Sequence, residues 1–316
     1  MLFHTYSVAK RQNVGENYST KPLQVSRERV GTAQPKLSLD RLRNFYIPTA
    51  NKEKQSIVKN IIKDSLGFYE QSRFFYSQAE NLLLEDLGLK DFKEEQSLYS
   101  VVDLSEAKKA HRIDAEYFQP KYEKLESRIR KYESRPLEKV LENVPAKFDS
   151  AKQPDKSFKY VELSNINTSI GVIDGFSEVL GKEAPSRAKR VLKDGDVIVS
   201  TVEGSLGKVA LVHEEQKDFL ASTGFLQFRS KEILSEVLLV LAKSIVFQWQ
   251  LEKRCTGTIL TAVPKDSASD ILIPILPKST QQKIAELVRK SHESRKKGKE
   301  LLESAKRKVE QMIENG

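Results

Sequence analysis

The chain has 316 residues, enough for about two domains, and 31% of them are charged, above the usual quarter and a sign of long exposed helices. Its 53 Lys and Arg against 44 Asp and Glu leave a net charge of +9 and a pI near 9.3, which favours an anionic partner, nucleic acid first and a membrane surface second. The single Cys255 excludes an internal disulfide and fits a reducing, cytoplasmic compartment; the best apolar run, 237–242, stops at Lys243 and is too short to span a membrane; and His4, His111, His213 and His292 are scattered with no metal-ligand spacing.

Residues 1–30 are polar and poorly periodic, and so short a stretch cannot bury a core alone. Residues 40–48 read as a short strand ended by Pro48. Over 52–89 the apolar positions Val58, Ile61, Ile62, Leu66, Tyr69, Tyr76, Leu83, Leu84 and Leu87 follow helical spacing, with Gly88 as the stop. The stretch 94–110 is charged and mixed and reads as a linker; 115–131 is helical. From 139 to 229 the text changes to short β-like runs at 159–163, 189–192, 196–201, 208–212 and 225–229, and Asp194-Gly195 between two of them signals a hairpin. A helix returns over 235–251. A last long helix over 279–313 has Ile284, Val288, Leu302 and Val309 along its apolar stripe.

A repeat organises these elements. Gly31-Thr32, Asp40, Ile47-Pro48, Gln55, Ser65 and Ala79 recur without a gap as Gly257-Thr258, Asp266, Ile273-Pro274, Gln281, Ser291 and Ala305, each displaced by 226 positions. That period is far too long for a solenoid. It describes two similar helices separated by one globular domain, and the first copy begins so early that a matching domain before it is missing or only a remnant. The two helices share a seven-residue seam: Val58, Ser65, Ser72 and Ala79 in one, Ile284, Ser291, Gly298, Ala305 and Met312 in the other. Small residues let two helix backbones approach, so the seam predicts an intramolecular antiparallel coiled coil; the plainer alternative is two separate amphipathic helices, each docked on a domain. At about 37 residues each, such helices are roughly 55 Å long. The fold class is α+β: one mixed domain over 115–276, long helices over 49–91 and 277–316, and a linker over 92–114.

No catalytic constellation holds. Gly204-Ser-Leu-Gly207-Lys208-Val209 only superficially resembles a phosphate loop, because Val202 stands where a Walker loop has its first glycine and Val209 where it has Ser or Thr. Paired histidines, GxSxG, a dinucleotide fingerprint and an Asn-Pro-Pro-Tyr signature are all absent, so the chain reads as a binding and positioning protein. Arg187, Lys189, Arg190 and Lys193 lie in one short segment, with Lys208 beyond, as residues that neutralise phosphates. Ser200, Thr201 and Ser205 flank a glycine-rich turn whose backbone N–H groups can approach phosphate. Asn165 and Asn167 follow an expected strand and suit bidentate contact with adenine. For any one of these the plainer role is a solvated side chain or a turn former.

Taken in order, the motifs resemble a known pattern. Arg112-Ile-Asp-Ala-Glu-Tyr-Phe-Gln-Pro-Lys-Tyr122, Tyr160-Val-Glu-Leu-Ser-Asn-Ile-Asn167, Gly195-Asp-Val-Ile-Val-Ser-Thr201 with Gly204-Ser-Leu-Gly-Lys208, Thr256-Gly-Thr258, Ile273-Pro274 and the Gln-Gln-Lys-Ile284 helix start resemble the specificity subunits of type I restriction–modification systems over nearly the whole chain. The resemblance implies target-recognition domains that each read half of a split DNA site, alternating with helices that set the spacing and bind two methyltransferase subunits. Methyl transfer from S-adenosylmethionine then resides in the methyltransferase, and ATP-driven cleavage in a restriction subunit. Residues 1–48 match only the tail of a first recognition domain, so either a truncated product or a half-type subunit carrying one complete domain is expected, with a dimer or a complex with methyltransferase subunits as the active form. Glu203 places an acid where the family often has a basic or polar residue. Alternatives are a coiled-coil protein-assembly module and a remnant that recognises nothing.

Overall fold

The computed structural model describes residues 38–43, 50–92, 99–257, 261–264 and 267–314. Gly31-Thr32, Ile47-Pro48, Thr258 and Asp266 of the repeat, with most of 1–48 and part of the expected linker, lie outside the described residues. The chain separates into two compact units, Met1–Lys52 and Glu53–Gly316. In the first, α1 (Leu39–Arg43) is a short helix where the start of a strand was expected. Asp40 sits in its first turn, where a carboxylate favours helix over strand.

In the second unit α2 (Lys52–Asp86) is one unbroken helix. It stops where Gly88 takes a φ of 59°, a conformation without penalty only for glycine. The expected linker is not all irregular: it holds α3 (Leu104–Ala110), closed by His111 in the left-handed conformation. α4 (Pro120–Ile129) opens with proline, whose missing N–H costs nothing in a first turn. β1 (Ser134–Pro136), α5 (Leu137–Val140) and β2 (Leu141–Asn143) follow. The next nine strands are β3 (Ser157–Val161), β4 (Ile166–Asn167), β5 (Val172–Ile173), β6 (Ser177–Leu180), β7 (Ala188–Val191), β8 (Val197–Ser200), β9 (Val209–Leu211), β10 (Leu220–Ser222) and β11 (Phe225–Ser230). The helix expected over 235–251 is two, α6 (Ser235–Lys243) and α7 (Ile245–Lys253), broken where Ser244 is extended. β12 (Leu272–Pro274) carries the second Ile-Pro and leads into α8 (Lys278–Glu314).

Among the described strands, eight form two four-stranded sheets, ordered β6-β3-β10-β7 and β2-β11-β8-β9, antiparallel except for β3 beside β10, and β4 pairs with β5. The Asp194-Gly195 turn is therefore not a hairpin, because β7 and β8 belong to different sheets. Asp196 sets that turn instead. Its fully buried carboxylate accepts from Lys193 N at 2.9 Å, Gln227 Nε2 at 2.7 Å and Arg229 Nε at 2.9 Å, fastening the crossing to β11.

α2 and α8 pack antiparallel as a stem. Ser65 Oγ donates to Gly298 O at 2.7 Å, and Ser291 Oγ to Ser72 O at 2.7 Å. Both facing pairs, 65 with 298 and 72 with 291, add to 363, which is the signature of one antiparallel register. Ser65, Ser72, Ala79, Ser291, Gly298 and Ala305 are all buried along it. Each hydroxyl bond contributes on the order of 1 kcal/mol. Off the seam, Ile62 and Leu66 do not reach a core: they are exposed.

One end of the stem is built into the α/β body. Tyr76 and Leu83 of α2, Leu87 just past its end, and Ile284 and Val288 of α8 share a core with Phe228, Phe247 and α6. α6 is apolar on every side because it lies between the β8–β9–β11 sheet and α8. The body closes on itself through β1 and β12, paired Ser134↔Pro274 to Pro136↔Leu272, and Gln250 acts as one more strand, donating to Leu272 O at 3.0 Å and accepting from Leu272 N at 2.8 Å.

Two glycines test the seam. A Cβ on Gly298 would lie 2.8 Å from the Tyr69 ring and 3.1 Å from Ser65 O, whereas one on Gly67 meets nothing within 4 Å. Gly298→Leu should cost about 1–3 kcal/mol, and Gly67→Ala should stabilise by up to about 1 kcal/mol. Urea unfolding midpoints of the two variants read both.

Candidate nucleic-acid interface

The expected DNA-facing residues separate into two groups. Along β7 the side chains alternate: Ala188 points inward, Lys189 outward, Arg190 inward. Arg187, Lys189 and Lys193 are exposed and make no ion pair among the described residues, so they form a small free cationic face. Arg190 does not join it. It is 2% exposed, and its guanidinium donates to Val144 O at 2.6 Å, so burial pulls its pKa down to about 10. Lys208 is half-buried and donates to Leu163 O at 2.9 Å.

The polar candidates are committed to hydrogen bonds within the body. Thr201 Oγ1 donates to Gly224 O at 3.0 Å, and Ser205 Oγ to Val202 O at 3.1 Å. Asn165 Oδ1 accepts from Glu162 N at 2.9 Å and caps a short helical turn. Asn167 donates through Nδ2 to Asp174 at 2.8 Å and accepts from Ser169 N at 3.0 Å. The loop that carries Glu203 and Gly204 is stitched to Thr261 and Val263, by Glu203 N to Thr261 O at 3.0 Å and Val263 N to Thr201 O at 2.8 Å. Cys255 lies buried beneath it. Burial first, then the Glu203 and Glu252 charges, raise the thiol to about 12, too high for a nucleophile.

The Arg112–Tyr122 motif is a strap. Arg112 Nε donates to Asp114 at 2.7 Å and its NH2 to Cys255 O at 3.1 Å, while the guanidinium lies 4.8 Å from the Tyr117 ring centre. Lys121 is buried over the Trp249 ring and pairs with Glu252 at 3.2 Å. The motif thus binds the start of the body to α7.

The residues that matter most to the geometry were not among the candidates. A groove of about 830 Å³ runs between the body and α8. At its floor, His213 and His292, which are 79 positions apart, meet at 2.9 Å, and His292 Nε2 lies 2.9 Å from Ile170 O. Arg295 pairs with Asp174 at 2.6 Å and stacks 4.4 Å from the Tyr69 ring centre, so body, α8 and α2 meet at one side chain. Arg289 pairs with Glu236 of α6 at 2.6 Å. The only sequence signal was the three- and four-residue spacing of 288, 292, 295 and 299, a second helical stripe beside the seam. Among the described residues no group of three His, Cys, Asp or Glu is placed to hold a metal ion, and no helix is long and apolar enough to cross a membrane.

No protein-family model matches the chain, and no curated protein matches it. Solved structures do. An HsdS subunit from Thermoanaerobacter tengcongensis shares 30% identity at a TM-score of 0.45, over 58% of this chain and 48% of that one. A chain from a structure on complex assembly and conformational transition of the type I R-M system shares 31% identity at 0.45 over the same portions. The chain resembles type I specificity subunits. A type I restriction–modification S subunit from M. genitalium covers 92% of this chain at 13% identity and a TM-score of 0.47. This chain spans about half the length of the first two of these chains.

The cationic face gives a stability contrast. Charge reversal of Arg187, Lys189 and Lys193 together should leave the melting temperature nearly unchanged, since the three are solvated. Arg190→Glu should cost about 3–5 kcal/mol, because it buries an uncompensated charge. Differential scanning calorimetry separates the two.

Proposed function

We propose that this chain is the non-catalytic DNA-recognition subunit of a type I restriction–modification complex. Its body over 115–276 reads one half of a split duplex site, and its stem positions methyltransferase subunits. Methyl transfer from S-adenosylmethionine then occurs in the methyltransferase and ATP-driven cleavage in a restriction subunit. The ordered motifs, the net charge of +9 and the free cations Arg187, Lys189 and Lys193 support duplex DNA as the ligand.

One observation carries the reading furthest: the two ends of the stem are copies of each other, and one is uncovered among the described residues. Under the 226-residue repeat, Val288, His292, Leu83 and Leu87 correspond to Ile62, Leu66, Val309 and Ile313. The first four, under the body, are 0%, 9%, 0% and 2% exposed; the second four are 38%, 56%, 40% and 55% exposed. Apolar side chains at repeat-equivalent positions make the open end a seat for a second recognition domain, supplied by a second copy of the chain. Two bodies related by a dyad read a palindromic bipartite site.

Sedimentation of the purified chain, alone and with its methyltransferase, should show a two-copy particle. Leu66→Glu with Ile313→Glu should dissociate it without lowering helix content. Gel shifts on duplex DNA should weaken steeply with salt as counterions are released, and charge reversal at Arg187, Lys189 and Lys193 should remove binding. A chain that stays single in both settings sinks the two-copy arrangement; salt-independent or absent duplex binding sinks the recognition reading.

A further inference from the structure

α2 and α8 are repeat copies packed on each other, yet their charges differ. α8 carries eleven Lys and Arg against six Glu, whereas α2 carries five against six Asp and Glu. At repeat-equivalent positions Lys290, Lys296 and Lys306 of α8 stand where α2 has Asp64, Glu70 and Glu80. Both helices line one seam, so helix pairing places no demand on the sign of charge at these outer positions. The basic surplus of α8 calls for another cause.

Local pairs absorb part of it. Glu286–Lys290, Glu293–Lys297 and Glu303–Lys306 close along α8 itself, and Glu236 and Asp174 of the body hold Arg289 and Arg295. Lys296, Lys299 and Arg307 are exposed, line the groove on its stem side and make no ion pair among the described residues. Lys299 reaches Asp174 O at 3.2 Å, which leaves ammonium hydrogens for a second acceptor. Across the groove stands Lys159 of β3, its ammonium 4.9 Å from the Phe176 ring centre and 5.0 Å from that of Phe219. Phe219 O accepts from Leu192 N at 2.9 Å, so the cationic face of Arg187, Lys189 and Lys193 ends one residue from this wall. Among the described residues, the groove acids without an ion pair are Glu215 and Glu300.

We propose that the groove wall of α8 is a phosphate-binding ridge: Lys296, Lys299 and Arg307, with Lys159 across the groove, hold one backbone strand of the duplex that the body reads. The duplex then runs along α8, and α2 is turned away from it. From 296 to 307 the helix rises about 16 Å, and one strand gains a phosphate about every 3.4 Å of duplex axis, so the ridge spans about five nucleotide steps. Such contacts carry no base information; they fix direction and register. The ridge rests on the DNA-recognition reading and adds a direction to it. DNA is favoured over an acidic protein surface because the open cations of the stem continue those of the body, in a chain of net charge +9.

Fluorescence anisotropy of the full chain with a random-sequence duplex, over a salt series, counts the phosphates engaged. Lys296→Gln with Lys299→Gln and Arg307→Gln should flatten the slope of log affinity against log salt by about 2.7, so that about 40-fold less affinity is lost between about 50 and 200 mM salt. Lys278→Gln with Lys283→Gln and Lys308→Gln removes the same charge from α8 outside the groove, and should leave the slope within about 0.9 of its original value. All six side chains are exposed, so both variants keep the fold. An unchanged slope in the groove variant, or equal flattening in the two, overturns the ridge and leaves duplex recognition standing. An unchanged slope together with weakened capture of the methyltransferase overturns it in favour of an acidic protein surface. A chain that binds no duplex at any salt removes the ridge and the recognition reading together.

Discussion

The molecule depends on how closely two helices approach. Where Gly298 faces Ser65 there is no room for a Cβ, and serine hydroxyls reach across to backbone carbonyls instead of to side chains. Such bonds lock register as well as distance, because sliding by one residue loses each carbonyl and turns a larger side chain into the seam. Everything attached to α2 and α8 inherits that register. Small residues contribute little burial of their own; the stability of the stem comes from its end, where Tyr76, Leu83, Leu87, Ile284 and Val288 enter the core of the body.

The body is joined to the stem by two kinds of contact with different physics. The shared core is insensitive to salt and pH. The polar joint around Asp174, Arg295, His213 and His292 is directional and fixes orientation. It lies at the edge of a groove, so its ion pair is partly solvated, 26% and 32% exposed at the side chains, and contributes modestly. Its value is angular: it decides which way the body faces once the core has decided that it stays.

What was legible in the chain was periodic. The seven-residue seam gave both long helices and their pairing, and five apolar runs became β3, β7, β8, β9 and β11. β1, β2, β4, β5, β6 and β10, of two to four residues each, fall outside those runs. Asp194-Gly195 marks a real turn, but a turn signal does not say which sheet the next strand joins; Asp196 and its partners on β11 decide that. Arg190 was misplaced although a clue was present: with Ala188 inward, a period of two puts Arg190 inward too. Asn165 and Asn167 are turn formers, the commoner fate of asparagine between strands. The histidine pair spans 79 positions and two elements, so no local pattern contains it.

The repeat and the register together define a symmetry axis. Repeat partners differ by 226 and facing residues add to 363, so both conditions meet midway between Phe68 and Tyr69 on α2 and between Ser294 and Arg295 on α8. Arg295 over the Tyr69 ring thus marks the pivot of the stem. Measured along α2, the covered seat and the open one lie about 21 residues apart, or ~31 Å at the helical rise. A turn of duplex DNA is about 34–36 Å. On the proposed DNA reading, domains on the two seats would stand about one duplex turn apart, with the stem as the gauge of that spacing.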